Sequence, residues 1–194
     1  MNCKNEPLTP SPRFKRVIKE FDYKDYPENG TVGIRPSVRA IIIRGNRLAM
    51  VYSEKYDYYV FAGGGINENE TYEEALIREI REEMGLEVIR ESIKEYGTVV
   101  RKERGKYDDC FIQENHYYLC NVTDNVLHQK LEDYEAEEMY TQKWVTAEEA
   151  IDVNSTHDHS RQENQRYCER LMERENWLLR RLLEEGLLEC PKIP

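Results

Sequence analysis

The chain has 194 residues, of which 39% are hydrophobic, and its formal net charge is −10 at pH 7. This length supports one hydrophobic core, so we expect a single domain over residues 1–194 rather than two domains. The negative charge argues against nucleic acid as a partner, because phosphate backbones are repelled over most of such a surface. Because the chain has neither a stretch of about 20 apolar residues nor an apolar signal core, we also expect no membrane partner and a cytoplasmic location.

The first half of the chain is predicted to begin with a flexible lead-in over the polar, proline-bearing residues 1–12. The core is expected over residues 35–152. Gly45-Asn46 lies between two apolar runs and is a hairpin signal. Runs of apolar, β-branched or aromatic residues predict strands over residues 14–23, 38–43, 48–52 and 58–61.

A helix of well-marked limits follows a glycine-rich loop over residues 62–70. Thr71 and Glu74 form a capping box that predicts a helix start near Tyr72. Gly85 is well placed to end the helix in a left-handed conformation. The order strand, loop, helix is therefore predicted for this stretch.

Three carboxylates lie on one arc of this helix. Glu79, Glu82 and Glu83 are related as i, i+3 and i+4, so their side chains project from one narrow sector. Each like-charge pair weakens an isolated helix by about 0.2–0.5 kcal/mol, unless a positive charge lies among the carboxylates. Magnesium or manganese, which prefer oxygen ligands, would supply that charge. The alternative interpretation is an acidic face in contact with solvent.

The second half of the chain contains strands and two further helices. The charged residues 102–109 connect two strands and can reach toward the carboxylates. Thr146 and Glu149 form a second capping box, and Ser160 and Glu163 a third. Strands are predicted over residues 95–101, 110–122 and 143–145.

The last helix is predicted over residues 160–186. Its apolar residues recur at helical spacing, so one face should pack on the sheet or on a neighbouring subunit, which would make a homodimer. Its alternating arginines and glutamates are interpreted as a solvated, ion-paired outer face. The apolar positions are Tyr167, Leu171, Leu178 and Leu182.

Residues 64–86 resemble the signature of the Nudix hydrolases at every fixed position: Gly64, Glu70, Arg78-Glu79, Glu82-Glu83 and Gly85, with apolar residues between. The resemblance implies an α/β (α+β) fold of the Nudix type, an α/β/α sandwich with a mixed β-sheet, to which this chain adds a C-terminal helix. Ala62 replaces a proline usual before the glycines, and Asn69 replaces a frequent glycine. Neither difference affects a carboxylate of the signature.

The same resemblance implies a magnesium- or manganese-dependent pyrophosphohydrolase acting on acid anhydrides. It would cleave a diphosphate bond in a nucleoside diphosphate linked to another moiety, by metal-assisted attack of water. Glu79, Glu82 and Glu83 would hold the metal, and Glu79 is the first choice for the base. Later glutamates, Glu135, Glu137 or Glu138, are the alternative, of which Glu138 is retained as a candidate. Structural roles are implied for Gly64, Glu70, Arg78 and Gly85.

The substrate partner is expected to be a small phosphate-containing molecule such as a nucleotide derivative. Candidate contacts are Tyr58, Tyr59 and Tyr107, whose rings can stack on a base, and Arg104, which can meet phosphate. Arg101 stands where family members that cleave ADP-ribose often have proline. The alternative function is a catalytically silent Nudix-fold module that senses a nucleotide; the intact set of three glutamates favours the hydrolase.

Overall fold

The computed structural model describes residues 16–156 and 165–188. The predicted lead-in over residues 1–12 and the third capping box, Ser160 with Glu163, lie outside these ranges. The strands are β1 Val17–Asp22, β2 Val32–Ile41, β3 Ile43–Arg44, β4 Arg47–Ser53, β5 Tyr58–Val60, β6 Leu86–Val88, β7 Lys94–Arg104, β8 Cys110–Leu119, β9 Val122–Val126 and β10 Tyr140–Val145. The α-helices are α1 Tyr72–Met84, α2 Asp133–Glu137, α3 Ala147–Thr156 and α4 Gln165–Glu184.

One of the two four-stranded sheets is mixed, as predicted. Its strand order is β1-β7-β8-β2, in which β1 with β7 and β2 with β8 are parallel and β7 with β8 is antiparallel. A second, antiparallel sheet has the order β10-β4-β3, with β5 also paired to β4. β6 and β9 form a separate antiparallel pair.

Helices cover both faces of the second sheet because successive side chains of a strand point in opposite directions. On β4, Ala49 and Val51 pack in the same cluster as residues of α1. The intervening Leu48 and Met50 pack in another cluster, with residues of α3 and α4. The fold is therefore the predicted α/β/α sandwich.

The predicted hairpin is correct only in its short second part. Ile43-Arg44 pairs with the start of β4 across the Gly45-Asn46 turn. The preceding residues 38–41 instead run parallel to β8. An apolar strand pattern specifies the buried faces of a strand but not its neighbour, and this strand finds its neighbour about 80 residues further along the chain. The predicted strand 110–122 is likewise divided into β8 and β9.

The limits of α1 are confirmed in detail. Thr71 Oγ1 accepts from Glu74 N at 3.2 Å, and Glu74 Oε2 accepts from Thr71 N at 2.9 Å. Gly85 ends the helix with φ 63°. A Cβ atom at this position would lie 2.3 Å from Leu127 O, so both the backbone angle and the close approach require glycine.

The C-terminal helix α4 packs on the sheet, which confirms one of the two predicted alternatives. Leu178 and Leu182 are fully buried with residues of β4 and α3. The interpretation of its arginines and glutamates as an outer face is wrong for one pair, since Arg174 is 1% and Glu175 0% exposed. The two side chains pair with each other and with groups of the sheet, which permits their burial. Within the described ranges, no helix has the length and apolarity that a membrane crossing needs.

Candidate active site

Two signature carboxylates are buried where α1 meets the glycine-rich loop. Glu79 is 8% and Glu83 4% exposed. Glu83 Oε2 accepts a hydrogen bond from Gly63 N at 2.6 Å. A Cβ atom at Gly64 would lie 2.5 Å from Glu79 Oε1, so the loop backbone passes directly over that carboxylate. The glycine therefore permits close contact between loop and helix.

Arg78 connects the loop to the helix through an ion-pair network. It donates to both oxygens of Glu70, from Nε at 2.8 Å and from Nη2 at 2.9 Å. Its Nη2 also donates to Gly65 O at 3.0 Å. Its Nη1 donates to Glu79 Oε1 at 2.8 Å and Glu82 Oε2 at 3.2 Å. Arg78 thus holds Glu70 and the Gly65 carbonyl of the loop against α1.

The electrostatic state of the carboxylates follows from burial and crowding. Burial raises the pKa of Glu79, against the opposing effect of Arg78. Burial also raises the pKa of Glu83 well above its usual range, and Arg39 opposes this while the charges of Glu79 and Glu135 add to it. The charges of Glu79 and Glu135 therefore oppose the ionisation of Glu83 in a region of low solvent access.

Two arginines of β2 face the same region, and the sequence analysis did not single them out. Arg35, Arg39 and Glu83 line a cavity of about 200 Å³. An adjoining cavity of about 260 Å³ shares Arg35 and Gly64 and adds Glu79. The signal in the sequence is Arg39, a charged residue between the apolar Val38 and Ala40, because a charge within an apolar strand indicates a functional side chain. Both apolar neighbours are fully buried.

Arg39 is held against the loop backbone. Its Nη1 donates to the carbonyl oxygen of Gly63 and, at 3.4 Å, to Phe61 O. Its Nε is buried and has no hydrogen-bond partner in the part of the chain that the structure describes. The guanidinium is therefore held against the loop where Arg39 lines the cavity.

The later glutamates that are alternatives for the base lie in different surroundings. Glu135 on α2 is 2% exposed, and its oxygens accept from Glu132 N at 2.7 Å and Tyr134 Oη at 2.8 Å. Its charge acts on both Glu79 and Glu83. Glu138 instead accepts a hydrogen bond from Tyr58 Oη, and burial raises its pKa.

The four candidate substrate contacts fall into two groups. Tyr58 is 3% exposed in the core, where its hydroxyl also lies 3.1 Å from that of Tyr140. Tyr59 packs on Tyr52 with ring centroids 4.7 Å apart, among residues of the other core cluster. Arg104 and Tyr107 line a larger pocket of about 550 Å³ at the β7–β8 turn, where Tyr107 is 88% exposed. Of the four, Tyr58 is buried, Tyr59 is partly buried, and Arg104 and Tyr107 line a pocket that a ligand can enter.

The donor atoms on α1 suit a hard divalent cation, because all are carboxylate oxygens. The charge of Glu79 also adds to the raised pKa of Glu83. Among residues 16–156 and 165–188, however, no three acidic, histidine or cysteine side chains are arranged as ligands of one ion. The three carboxylates do not converge as predicted, because Arg78 holds Glu79 and Glu82 while Glu83 accepts a hydrogen bond from the loop. A cation would share those carboxylate oxygens with Arg78.

Comparison with known proteins places this arrangement in a family. The NUDIX domain family profile matches residues 33–167. The chain belongs to the Nudix hydrolase family. An RNA pyrophosphohydrolase of Saccharophagus degradans is 31% identical over 124 residues, which are 59% of this chain and 72% of that protein.

Two solved structures are similar at lower identity. A MutT NUDIX hydrolase from Burkholderia pseudomallei is 18% identical, with a TM-score of 0.48 over 60% of this chain and 86% of that one. The ORF135 protein of E. coli is 23% identical, with a TM-score of 0.43 over 63% of this chain and 80% of that one.

The Nudix match includes β2, the glycine-rich loop and α1, and it ends at residue 167, near the start of α4. The buried pair Arg174 and Glu175 therefore lies beyond the matched residues. Arg174 also lines the 200 Å³ cavity, so the C-terminal helix of this Nudix protein contributes to its candidate active site.

Proposed function

We propose that this Nudix protein hydrolyses a diphosphate bond in a nucleoside diphosphate linked to another moiety, with magnesium or manganese. The observation that carries this proposal is the placement of two buried carboxylates, Glu79 and Glu83, beside the guanidinium groups of Arg35 and Arg39 in adjoining cavities. Carboxylates suit a cation and a water, and guanidinium groups suit phosphate oxygens.

The metal would be held by Glu79, Glu82 and Glu83. A bound divalent cation supplies positive charge to the phosphate oxygens of the substrate. Arg35 and Arg39 bind further phosphate oxygens, since the planar guanidinium matches their geometry. Arg78 and Glu70 keep α1 and the glycine-rich loop in register during these steps.

Glu79 is proposed as the base that takes a proton from the attacking water. Its burial raises its pKa, which makes the carboxylate a stronger proton acceptor at neutral pH. The water oxygen forms a bond to one phosphorus, and the bridging oxygen leaves on the other phosphate with the electron pair of the broken bond. Among the later glutamates, Glu135 is the second candidate, because it faces Glu79 and Glu83; Glu138 stays a prediction.

The substrate remains to be chosen within this class. The 31% identical relative is an RNA pyrophosphohydrolase, which adds the 5′ end of RNA to the candidate substrates. Only the terminal phosphate chain of such an RNA has to enter the site. The net charge of −10 opposes this less than it opposes binding along a whole nucleic-acid backbone. A test panel therefore includes a 5′-triphosphorylated oligonucleotide beside nucleotide sugars, ADP-ribose and dinucleoside polyphosphates.

The test is product release from this panel with magnesium or manganese, by the native protein and by Glu83→Gln. We expect Glu83→Gln to lower kcat by about a hundredfold or more, because a charged group of the site is lost. The control is Glu73→Gln, an exposed glutamate on the first turn of the same helix, which should retain native activity.

Equal activity of Glu83→Gln and the native protein would contradict the proposed mechanism. If neither protein cleaves any member of the panel while nucleotide binding is still measured, the protein is a nucleotide-sensing module instead.

A further inference from the structure

The pocket at the β7–β8 turn is strongly cationic in a protein that is negative overall. Its volume is about 550 Å³, and it shares Arg35 and Tyr167 with the cavity beside Glu83. Only Glu103 and Asp108 among its lining residues are acidic. The lining cations are Arg35, Arg101, Arg104, Lys106 and Arg166.

Arg101 is the unusual member of this set because it is almost completely buried. Its side chain is 1% exposed. Its Nη2 lies 3.3 Å from Glu103 Oε1, and its guanidinium lies 4.9 Å from the centroid of the Tyr167 ring. Its Nε and Nη1 are buried and have no hydrogen-bond partner among residues 16–156 and 165–188. The group therefore has two donor atoms that its protein surroundings do not use.

Glu103 does not depend on Arg101 for a partner. Its other oxygen, Oε2, accepts from Arg170 Nη1 at 2.6 Å. Arg170 also bonds Asp25 Oδ2 at 2.8 Å, so this ion-pair network is complete without Arg101. Arg101 is moreover subject to the like charge of the buried Arg174. A buried cation with one shared partner weakens a fold more than it supports it, which points to a role in binding.

The rest of the pocket suits a phosphorylated nucleoside. Tyr107 and Phe111 present ring surface beside the cations. Aromatic rings bind bases by stacking, and guanidinium donors bind phosphate by charge-assisted hydrogen bonds. Because the pocket adjoins the candidate active site, one ligand can occupy both.

We propose that this pocket, with Arg101 at its base, binds a phosphate group of the substrate that is not part of the cleaved bond. This inference rests on the proposed function, because it takes the ligand of the pocket to be the substrate of that reaction. It names the substrate class: nucleotide derivatives that carry a further phosphate beyond the diphosphate to be cleaved. Arg101 and Arg104 are the residues that select this phosphate.

The test is equilibrium binding in EDTA, without divalent cation. Under these conditions no metal at the carboxylates can bind the phosphates, and no ligand is hydrolysed. Two matched ligand pairs distinguish the sources of the extra phosphate. NADPH differs from NADH by one phosphomonoester, and diadenosine tetraphosphate differs from diadenosine diphosphate by a longer phosphate chain. We expect the native protein to bind the more phosphorylated member of at least one pair about tenfold or more tightly.

The decisive variant is Arg101→Met, which should lose that preference. The matched control is Lys102→Met, which removes the same charge from the neighbouring residue of β7. Lys102 is not among the residues of the pocket, and its Nζ lies 3.1 Å from Glu20 Oε1, so the preference should persist. Absence of a preference in both pairs, or a preference retained in Arg101→Met, would overturn the inference.

Folding of the variant is checked by urea unfolding in EDTA. Arg101→Met should unfold at the same or a higher urea concentration than the native protein, because Glu103 keeps Arg170. If Arg101→Met fails to fold, Arg104→Met at the exposed rim is measured instead. This variant should reduce the same preference, and an unchanged preference would refute the proposed site. Because binding is measured without catalysis, absence of the preference in a native protein that still cleaves its substrate rejects this inference alone. A native protein that shows the preference but cleaves no member of the panel rejects the proposed function alone.

Discussion

Arg78 balances the charge of two carboxylates that would otherwise repel each other. Its Nη1 contacts both Glu79 and Glu82, while Nε and Nη2 hold Glu70. Arg78 lies four residues before Glu82, so the helix places the two side chains on neighbouring positions of one face. Its long side chain also reaches Glu70, which precedes the helix. Any cation bound by Glu79 and Glu82 would share their oxygens with this guanidinium.

The absence of a side chain at Gly64 leaves room for the carboxylate of Glu79. In Gly64→Ala the new Cβ would start 2.5 Å from Glu79 Oε1, so Glu79 must move. The obstructing atom is the end of a side chain, and we therefore expect the fold to be retained. The activity, measured as kcat/KM on a substrate that the panel identifies, should fall by about 10- to 100-fold, because small displacements of reacting groups are costly.

The double variant Gly64→Ala/Glu79→Ala supplies the control for this prediction. If the alanine acts by displacing Glu79, the double variant should be no less active than Glu79→Ala alone. Independent, additive losses would show that Gly64 acts through some other group.

At the scale of elements, α4 is joined to the backbone just before the glycine-rich loop by a buried ion pair. Glu175 Oε2 accepts from Phe61 N at 2.7 Å, at the end of β5 and just before the glycines. Its other oxygen accepts from Arg174 Nε at 2.8 Å, and Arg174 Nη1 donates to Asn115 Oδ1 of β8 at 2.8 Å. The C-terminal helix thus contacts both sheets through polar bonds as well as through its leucines.

Removal of one partner of this pair should be strongly destabilising. In Glu175→Gln, Arg174 keeps its charge in a buried site without a carboxylate, so the free energy of unfolding should fall by about 3–5 kcal/mol in a urea titration. The exposed neighbour Glu173, which accepts from Tyr23 Oη, is the control. Its change to glutamine should cost less than about 1 kcal/mol.

A second variant distinguishes the unpaired charge from simple loss of packing. Arg174→Met/Glu175→Gln removes both charges and should be more stable than Glu175→Gln alone. A double variant that is less stable than Glu175→Gln would argue against the ion-pair explanation.

At the scale of the whole molecule, charge is distributed unevenly. The net charge is −10, yet five cations line the pocket at the β7–β8 turn. Two further arginines lie at the candidate site: Arg39 beside the loop and Arg78 beside Glu79. A negative average therefore does not describe the surface that a phosphate substrate meets. The cytoplasmic location and a homodimer stay predictions.

The pH dependence of global stability should show the contribution of one buried histidine. Burial lowers the pKa of His116 on β8 to about 4, from an ordinary value near 6.5 in the unfolded chain. Between these values the unfolded chain binds a proton that the folded protein does not, so stability falls as the pH falls. From pH 7 to pH 5 this contribution is about 2 kcal/mol.

The measurement is the free energy of unfolding in urea against pH for the native protein and His116→Gln. The difference isolates the histidine from the buried carboxylates, whose raised pKa values act in the opposite direction. The native protein should lose more stability between pH 7 and pH 5 than the variant does. His128→Gln, at an exposed position, is the control, and parallel curves for His116→Gln and the native protein would refute the prediction.

The sequence by itself determined the features that depend on neighbours a few residues apart. The capping box at Thr71, the left-handed end at Gly85 and the arc of Glu79, Glu82 and Glu83 are set by local geometry, so their positions follow directly from the spacing of residues. The family signature, which also lies within residues 64–86, indicates the same chemistry.

Only the tertiary structure decided which distant side chains complete the site. Arg35 and Arg39 arrive on β2 because that strand pairs with β8, and Arg101 faces the same region because β7 pairs with β8 in turn. Arg174 is buried rather than exposed because Asn115 and Glu175 satisfy it. Apolar strand patterns leave the choice of neighbouring strand open, and a charged residue in such a pattern shows its role only when its partners across the chain are known.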